Sequence, residues 1–243
     1  MTTPQWESRA LAVPSSVTDQ IAHILEQEIV GGRYRRGTHL QQDEISGRFG
    51  VSRTPAREAL RKLQAIGLVR LVPNKGALVH VPTLEELREV YDVRAELEGY
   101  AAALVAGNRS DALVTSLHAA QQELADLVRS VDPQVLAEPE GSAAGESLIS
   151  VNDAFHHLIH SGGGNRRLAE MIKDCERYFP RETMRLAIQS PTELQNLYLD
   201  EHMEILDEIT RGRPDRARAA MVHHIHQAQA VLLGFLRQRG FSD

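Results

Sequence analysis

Apolar residues recur along this chain at two different periods, and the change between them divides it. Val17, Ile21, Ile24, Leu25 and Ile29 repeat at helical spacing until Gly31-Gly32. A short second helix from Gln41 to Phe49 turns Ile45 and Phe49 inward and stops at Gly50. A third helix comes at once. At about 100° per residue, Val51, Leu60 and Leu63 fall on one side of it, while Arg53, Arg57 and Arg61 line the other. Ser52 can cap its orphan N–H groups, and Pro55 falls in the first turn, where proline costs little. Two short apolar runs come next, Leu68 to Val72 and Ala77 to Val81. The turn Pro73-Asn74-Lys75-Gly76 between them predicts a β-hairpin. Three helices plus a hairpin, with the tight turn Gly50-Val51-Ser52, predict a winged helix-turn-helix over residues 15–82.

Pro82 ends that unit, and Thr83 with Glu86 three residues on forms a capping-box pattern that opens a new helix. Beyond it no strand pattern occurs. Helices are predicted over 84–106, 111–129, 146–161, 165–178, 192–211 and 214–238, with a further short one over 180–189. Residues 130–146, rich in Pro, Gly, Ala and acid, read as a flexible loop, and residues 1–14 as a disordered tail. The fold class is therefore mainly α: the winged head, then an all-helical bundle of six or seven helices over 83–240.

Charge sharpens this division. The formal net charge of −6 argues against nucleic-acid binding. Residues 1–82, however, carry 11 Lys/Arg against 7 Asp/Glu, a balance of +4, and residues 83–243 carry 16 against 26, a balance of −10. A basic head on an acidic body suits a phosphate-binding domain joined to one with another task. The one cysteine, Cys175, can form no internal disulfide. With no signal-peptide pattern and no apolar run long enough to span a bilayer, a reducing cytoplasm is expected, with no membrane partner.

The arginine helix has what a major-groove reader needs: a buried stripe and a row of guanidiniums able to pair bidentately with guanine. Arg53 and Arg57 are the candidates for base contacts, Ser52 and Thr54 for phosphate or base edges, and Lys75 at the hairpin tip for phosphate. In the body, eight of the eleven histidines lie beyond residue 100. Helical angles direct His156, His202 and His224 into the apolar arcs of three different helices, with Asn152 four residues before His156. His157, His223 and His226 fall outside those arcs. Three imidazoles and one oxygen suit a divalent transition metal (Zn, Ni, Mn or Fe). They equally suit a buried polar set whose members bond to each other.

The head resembles that of the GntR family of bacterial transcription regulators. The matching residues are Gly37, Leu40, Phe49-Gly-Val-Ser-Arg-Thr-Pro-Ala-Arg-Glu-Ala-Leu-Arg-Lys-Leu63, Gly67-Leu-Val69 and Lys75-Gly-Ala77. Arg36 departs from the pattern, which usually has proline there. In the body, Tyr91-Asp-Val-Arg-Ala-Glu-Leu-Glu98, Asn152-Asp-Ala-Phe-His156, Gly164-Asn165, Glu201-His-Met-Glu-Ile-Leu-Asp-Glu-Ile209 and Ala219-Ala-Met-Val-His-His224 resemble the effector-binding domain of the FadR subfamily. The resemblance implies a metal held by Asn152, His156, His202 and His224, a small carboxylate effector, and Arg94 facing that effector. Many relatives have Asp at the position of Asn152, so this chain offers a neutral donor there. It also implies a ligand-responsive homodimer on a palindromic double-stranded DNA operator. A metal hydrolase and a pure metal sensor are the alternatives. Against the hydrolase stand the absence of HExxH, nucleophile-elbow and P-loop patterns and the expectation that no acid sits beside the histidines, Asp153 turning away. Arg94 could instead form a surface ion pair with Glu98.

Overall fold

The computed structural model describes residues 16–65, 68–73, 75–80, 83–130, 143–176, 184–185 and 187–238. The tail expected over 1–14, most of the loop over 130–146, and residues 180–183 and 186 of the short helix expected over 180–189 lie outside them.

In the head, α1 (Val17–Val30) opens on a capping box: Ser16 accepts from the Asp19 amide, and the Asp19 side chain accepts from Ser16. Next comes α2 (Gln42–Phe49), which ends at Gly50 in the left-handed region, φ 64°, a conformation that glycine adopts without strain. That reversal lets α3 (Arg53–Ala65) start three residues later. The expected hairpin is present as β2 (Val69–Val72) and β3 (Gly76–Val79), paired antiparallel with Val69 opposite Val79. One strand was not expected. β1 (His39–Leu40) adds to the other side of β3, giving a three-stranded sheet in the order β1-β3-β2. A side chain at Gly76, φ 94°, would overlap the Leu40 carbonyl oxygen of β1, so the sheet needs glycine there. Leu25, Ile29, Ala56, Leu60, Leu63, Leu68 and Ala77 are fully buried between the helices and the sheet.

The body comprises α4 (Leu84–Gly107), α5 (Asp111–Ser130), α6 (Ala143–Gly162), α7 (Arg166–Glu176), α8 (Pro191–Gln195), α9 (Glu201–Thr210) and α10 (Pro214–Gln238). The single helix expected over 192–211 is interrupted: Asn196–Asp200 forms a π-helical turn between α8 and α9. Such a turn rotates the faces of the helix beyond it, and it is often found at functional sites. The longest packed pair is α4 against α10, with α5 on α6 and α9 on α10. The body core, including Leu87, Phe155, Ile159, Ile205, Leu206, Met221 and Leu232, is separate from the head core. Each such apolar side chain stabilises its own unit by roughly 1.5–3 kcal/mol.

Candidate metal centre and nucleic-acid interface

Three helices of the body bring His156 (α6), His202 (α9) and His224 (α10) together, with one ring nitrogen of each within 4.8 Å of the others. The Nε2 atoms of His156 and His224 are 3.3 Å apart. All three rings are held from behind. His156 Nδ1 lies 3.0 Å from Glu98 Oε2, His202 Nδ1 3.1 Å from Gln121 Oε1, and His224 Nδ1 2.8 Å from Glu201 Oε2. These oxygens only accept, so each Nδ1 carries the proton and donates. Each Nε2 is then left as a lone pair. Two such lone pairs 3.3 Å apart repel one another unless a cation or proton lies between them.

Two buried polar atoms agree with that arrangement. His202 Nε2 and Asn152 Oδ1 are both shut off from solvent without a hydrogen-bond partner among the described residues. Orphaned buried acceptors are costly and call for an explanation. Asn152 sits one turn before His156 on α6, and both border the same cavity with His224. Protonation is disfavoured here as well. Burial pushes His156 down to about 4, despite the opposing carboxylate of Glu98. Burial and the neighbouring rings of His224 and His156 hold His202 well below its usual range. Neutral imidazoles with free lone pairs are the form in which histidine ligates a metal. The donor set thus fits a divalent cation.

Glu98 is the hub behind the site. It is fully buried and accepts from Arg94 Nε at 2.5 Å and from His160 Nε2 at 2.8 Å as well as from His156. Burial opposes its charge, but Arg94, His160 and His156 outweigh burial and keep the carboxyl well below the usual range. Glu98, His156 and His160 also bring ligating atoms within 4.8 Å of one another. Arg94 already supplies the positive charge at that second cluster. Arg94 is not a surface ion pair: its side chain is only 19% exposed. It lies over the Tyr91 ring and borders a cavity of about 90 Å³ together with Asn152, Asp153, His156 and His224.

Two expectations are therefore corrected. Acids do stand beside the histidines, namely Glu98 and Glu201, and Asp153 borders the cavity instead of turning away. Glu98, Gln121, His160 and Glu201 were not anticipated as part of the centre. Glu98 and Gln121 each left a trace, a polar residue on the apolar face of α4 or α5. His157, His223 and His226 are exposed.

On the head, Ser52, Arg53, Thr54, Arg57 and Lys75 are all exposed. Arg53 Nε pairs with Asp43 Oδ1 at 2.5 Å and Arg57 Nε lies 3.5 Å from Glu58, both on the surface. Such pairs are worth little and yield readily to a phosphate or a base edge.

A winged head with an exposed arginine row, carried on a helical body with a histidine-bordered cavity, has the build of a DNA-binding regulator. Residues 17–79 match the gntR family of bacterial regulatory proteins and residues 89–227 match the FCD domain, so the chain belongs to the GntR family of transcriptional regulators with an FCD domain. It is similar to the HTH-type regulator YdhC of Bacillus subtilis, 25% identical over 85% of this chain and 87% of that one. It is also similar to the HTH-type transcriptional repressor RspR of Escherichia coli, 26% identical over 87% and 86%. In fold it resembles Lar of Listeria monocytogenes, with a TM-score of 0.66 at 17% identity over 89% of this chain and 96% of that one. The family and these relatives are regulators, not enzymes, and the hydrolase alternative falls. Among the described residues no helix is long and apolar enough to cross a membrane.

Proposed function

We propose that this protein is a cytoplasmic, homodimeric regulator of the FadR type that binds a palindromic operator and is controlled by a small organic acid bound beside a divalent metal. One observation carries the reading: three imidazoles anchored through Nδ1 bring their Nε2 lone pairs together beside a cavity that Asn152 and Arg94 also border. His156, His202, His224 and Asn152 would hold the metal. When bound, Zn, Ni, Mn or Fe supplies a Lewis-acidic charge to which a carboxylate oxygen can attach. The chain's own residues do the rest. Glu98, Gln121 and Glu201 fix the ring tautomers, and Arg94 offers its remaining N–H donors to the same anion. Ser52, Arg53, Thr54 and Arg57 read the operator and Lys75 meets phosphate. The two half-sites of a palindrome call for two copies of the head. The repressor named among the relatives supports repression as the direction of control.

Effector and operator affinities are then linked reciprocally. The test is elemental analysis of the purified protein beside His202→Ala and His224→Ala, with operator binding measured by fluorescence anisotropy against a series of organic acids. Metal lost in both variants, and operator affinity moved by an acid only when metal is present, is the expected result. Metal retained in both variants would refute the centre. Operator affinity that responds to metal with no acid effective would make the ion itself the signal.

A further inference from the structure

We propose that the cavity selects a short-chain monocarboxylate with a hydrocarbon tail and discriminates against dicarboxylates and sugar acids. This rests on the reading above, in which the cavity receives an organic acid. Three independent features of the cavity point the same way.

The first is size. At about 90 Å³ the cavity is far below the roughly 300 Å³ at which sites for drug-sized ligands begin. A space of that size suits a short acid better than a long one. The second is charge. Among the described residues Arg94 is the only lysine or arginine bordering the cavity, and its Nε is committed to Glu98. Asp153 and Glu176 border the same space, and Glu98 and Glu201 stand directly behind the histidines. Carboxylates thus already outnumber the one arginine. The neutral donor Asn152 leaves the full charge of a bound divalent cation to attract one carboxylate. Among the described residues a second carboxylate would find only Arg94, already shared with Glu98, and would face Asp153 and Glu176, so its charge would be poorly compensated out of water.

The third feature is the wall. Leu87, Val90, Ile149, Met184, Ile225 and Leu232 give the space an apolar side, beside the rings of Tyr91 and Tyr198. A short alkyl tail gains from the same surfaces.

The experiment uses full-length protein loaded with Zn²⁺, with thermal shift and isothermal titration at matched ionic strength. The probes are propionate, butyrate, isobutyrate, octanoate, succinate, glutarate and gluconate. Butyrate or isobutyrate should raise the melting temperature and bind at least about tenfold more tightly than succinate, glutarate or gluconate. Octanoate should bind more weakly than butyrate, because its tail exceeds the cavity. Equal or tighter binding of a dicarboxylate, of gluconate or of octanoate overturns the selectivity while leaving an acid effector in place. No response to any acid, with Zn²⁺ bound, overturns both this inference and the effector reading beneath it.

Discussion

At His156, burial and charge compete, and Glu98 decides how they settle. A fully buried carboxylate is tolerable only because Arg94, His160 and His156 share it, and it in turn fixes their orientation. Glu98→Gln keeps an acceptor for His156 Nδ1 but removes the charge that raises ligand basicity. Metal affinity, read by chelator competition, is expected to fall roughly tenfold to a hundredfold, as for other oxygen partners of metal-bound histidines. Circular dichroism keeps loss of folding apart from loss of affinity, and unchanged metal affinity in a folded variant would remove Glu98 from the centre. The same residues set a pH dependence. His156 is lowered from 6.5 to about 4, so the unfolded chain binds a proton that the metal-free folded chain refuses. Stability from this group is complete above about pH 6.5 and declines as pH falls toward about 4, by about 3 kcal/mol in total. Denaturant titrations of metal-free protein between about pH 7 and about pH 4 should show that decline, and His156→Gln should make it shallower while leaving the share of the lowered His202.

Among the elements, α3 and the hairpin carry the proposed operator contacts. Arg57→Ala should cost about 1–3 kcal/mol of discrimination between the operator and random DNA. Equal affinity loss on both sequences would instead assign Arg57 to phosphate. Lys75→Ala should lower the salt dependence of binding by about one unit of slope with little change in sequence preference. An unchanged slope would place the wing off the duplex. These elements were legible in the sequence because their apolar residues keep one period and their cations all face water. β1 was not legible, since two residues carry no alternation to detect. Nor was the π-helical turn, because one extra residue per turn leaves no compositional mark. The inward histidines could be read from helical angles, but their oxygen partners could not. Glu98 and Gln121 reach His156 and His202 across 58 and 81 residues of chain, on helices α4 and α5, whose packing no local pattern specifies.

Across the whole molecule, the basic head and the acidic body have separate cores, so a signal from one to the other has to use contacts at their junction. One ion pair there bridges the two units directly. Arg36, in the loop between α1 and β1, pairs with Glu86 in the first turn of α4 at 3.2 Å. The same helix carries Arg94 and Glu98 to the cavity, about 12 Å from Glu86 to Arg94 at the usual helical rise. If Arg94 binds an effector as proposed, a helix with that arginine toward its middle and the ion pair to the head at its start would convert a small shift in the cavity into a reorientation of the head. Half-site spacing makes operator affinity sensitive to that orientation. The Arg36–Glu86 pair is solvent-exposed and worth at most about 1 kcal/mol, so its removal should barely change stability. Arg36→Gln spares the capping box between Glu86 and Thr83. In this variant we expect metal content and melting temperature close to the parent's, but a smaller ratio between operator affinities without and with the effector, by roughly two- to fivefold. The ratio is the proper readout because any phosphate that Arg36 itself holds would be given up equally in both measurements. A ratio equal to the parent's would remove the Arg36–Glu86 pair from the route of the signal.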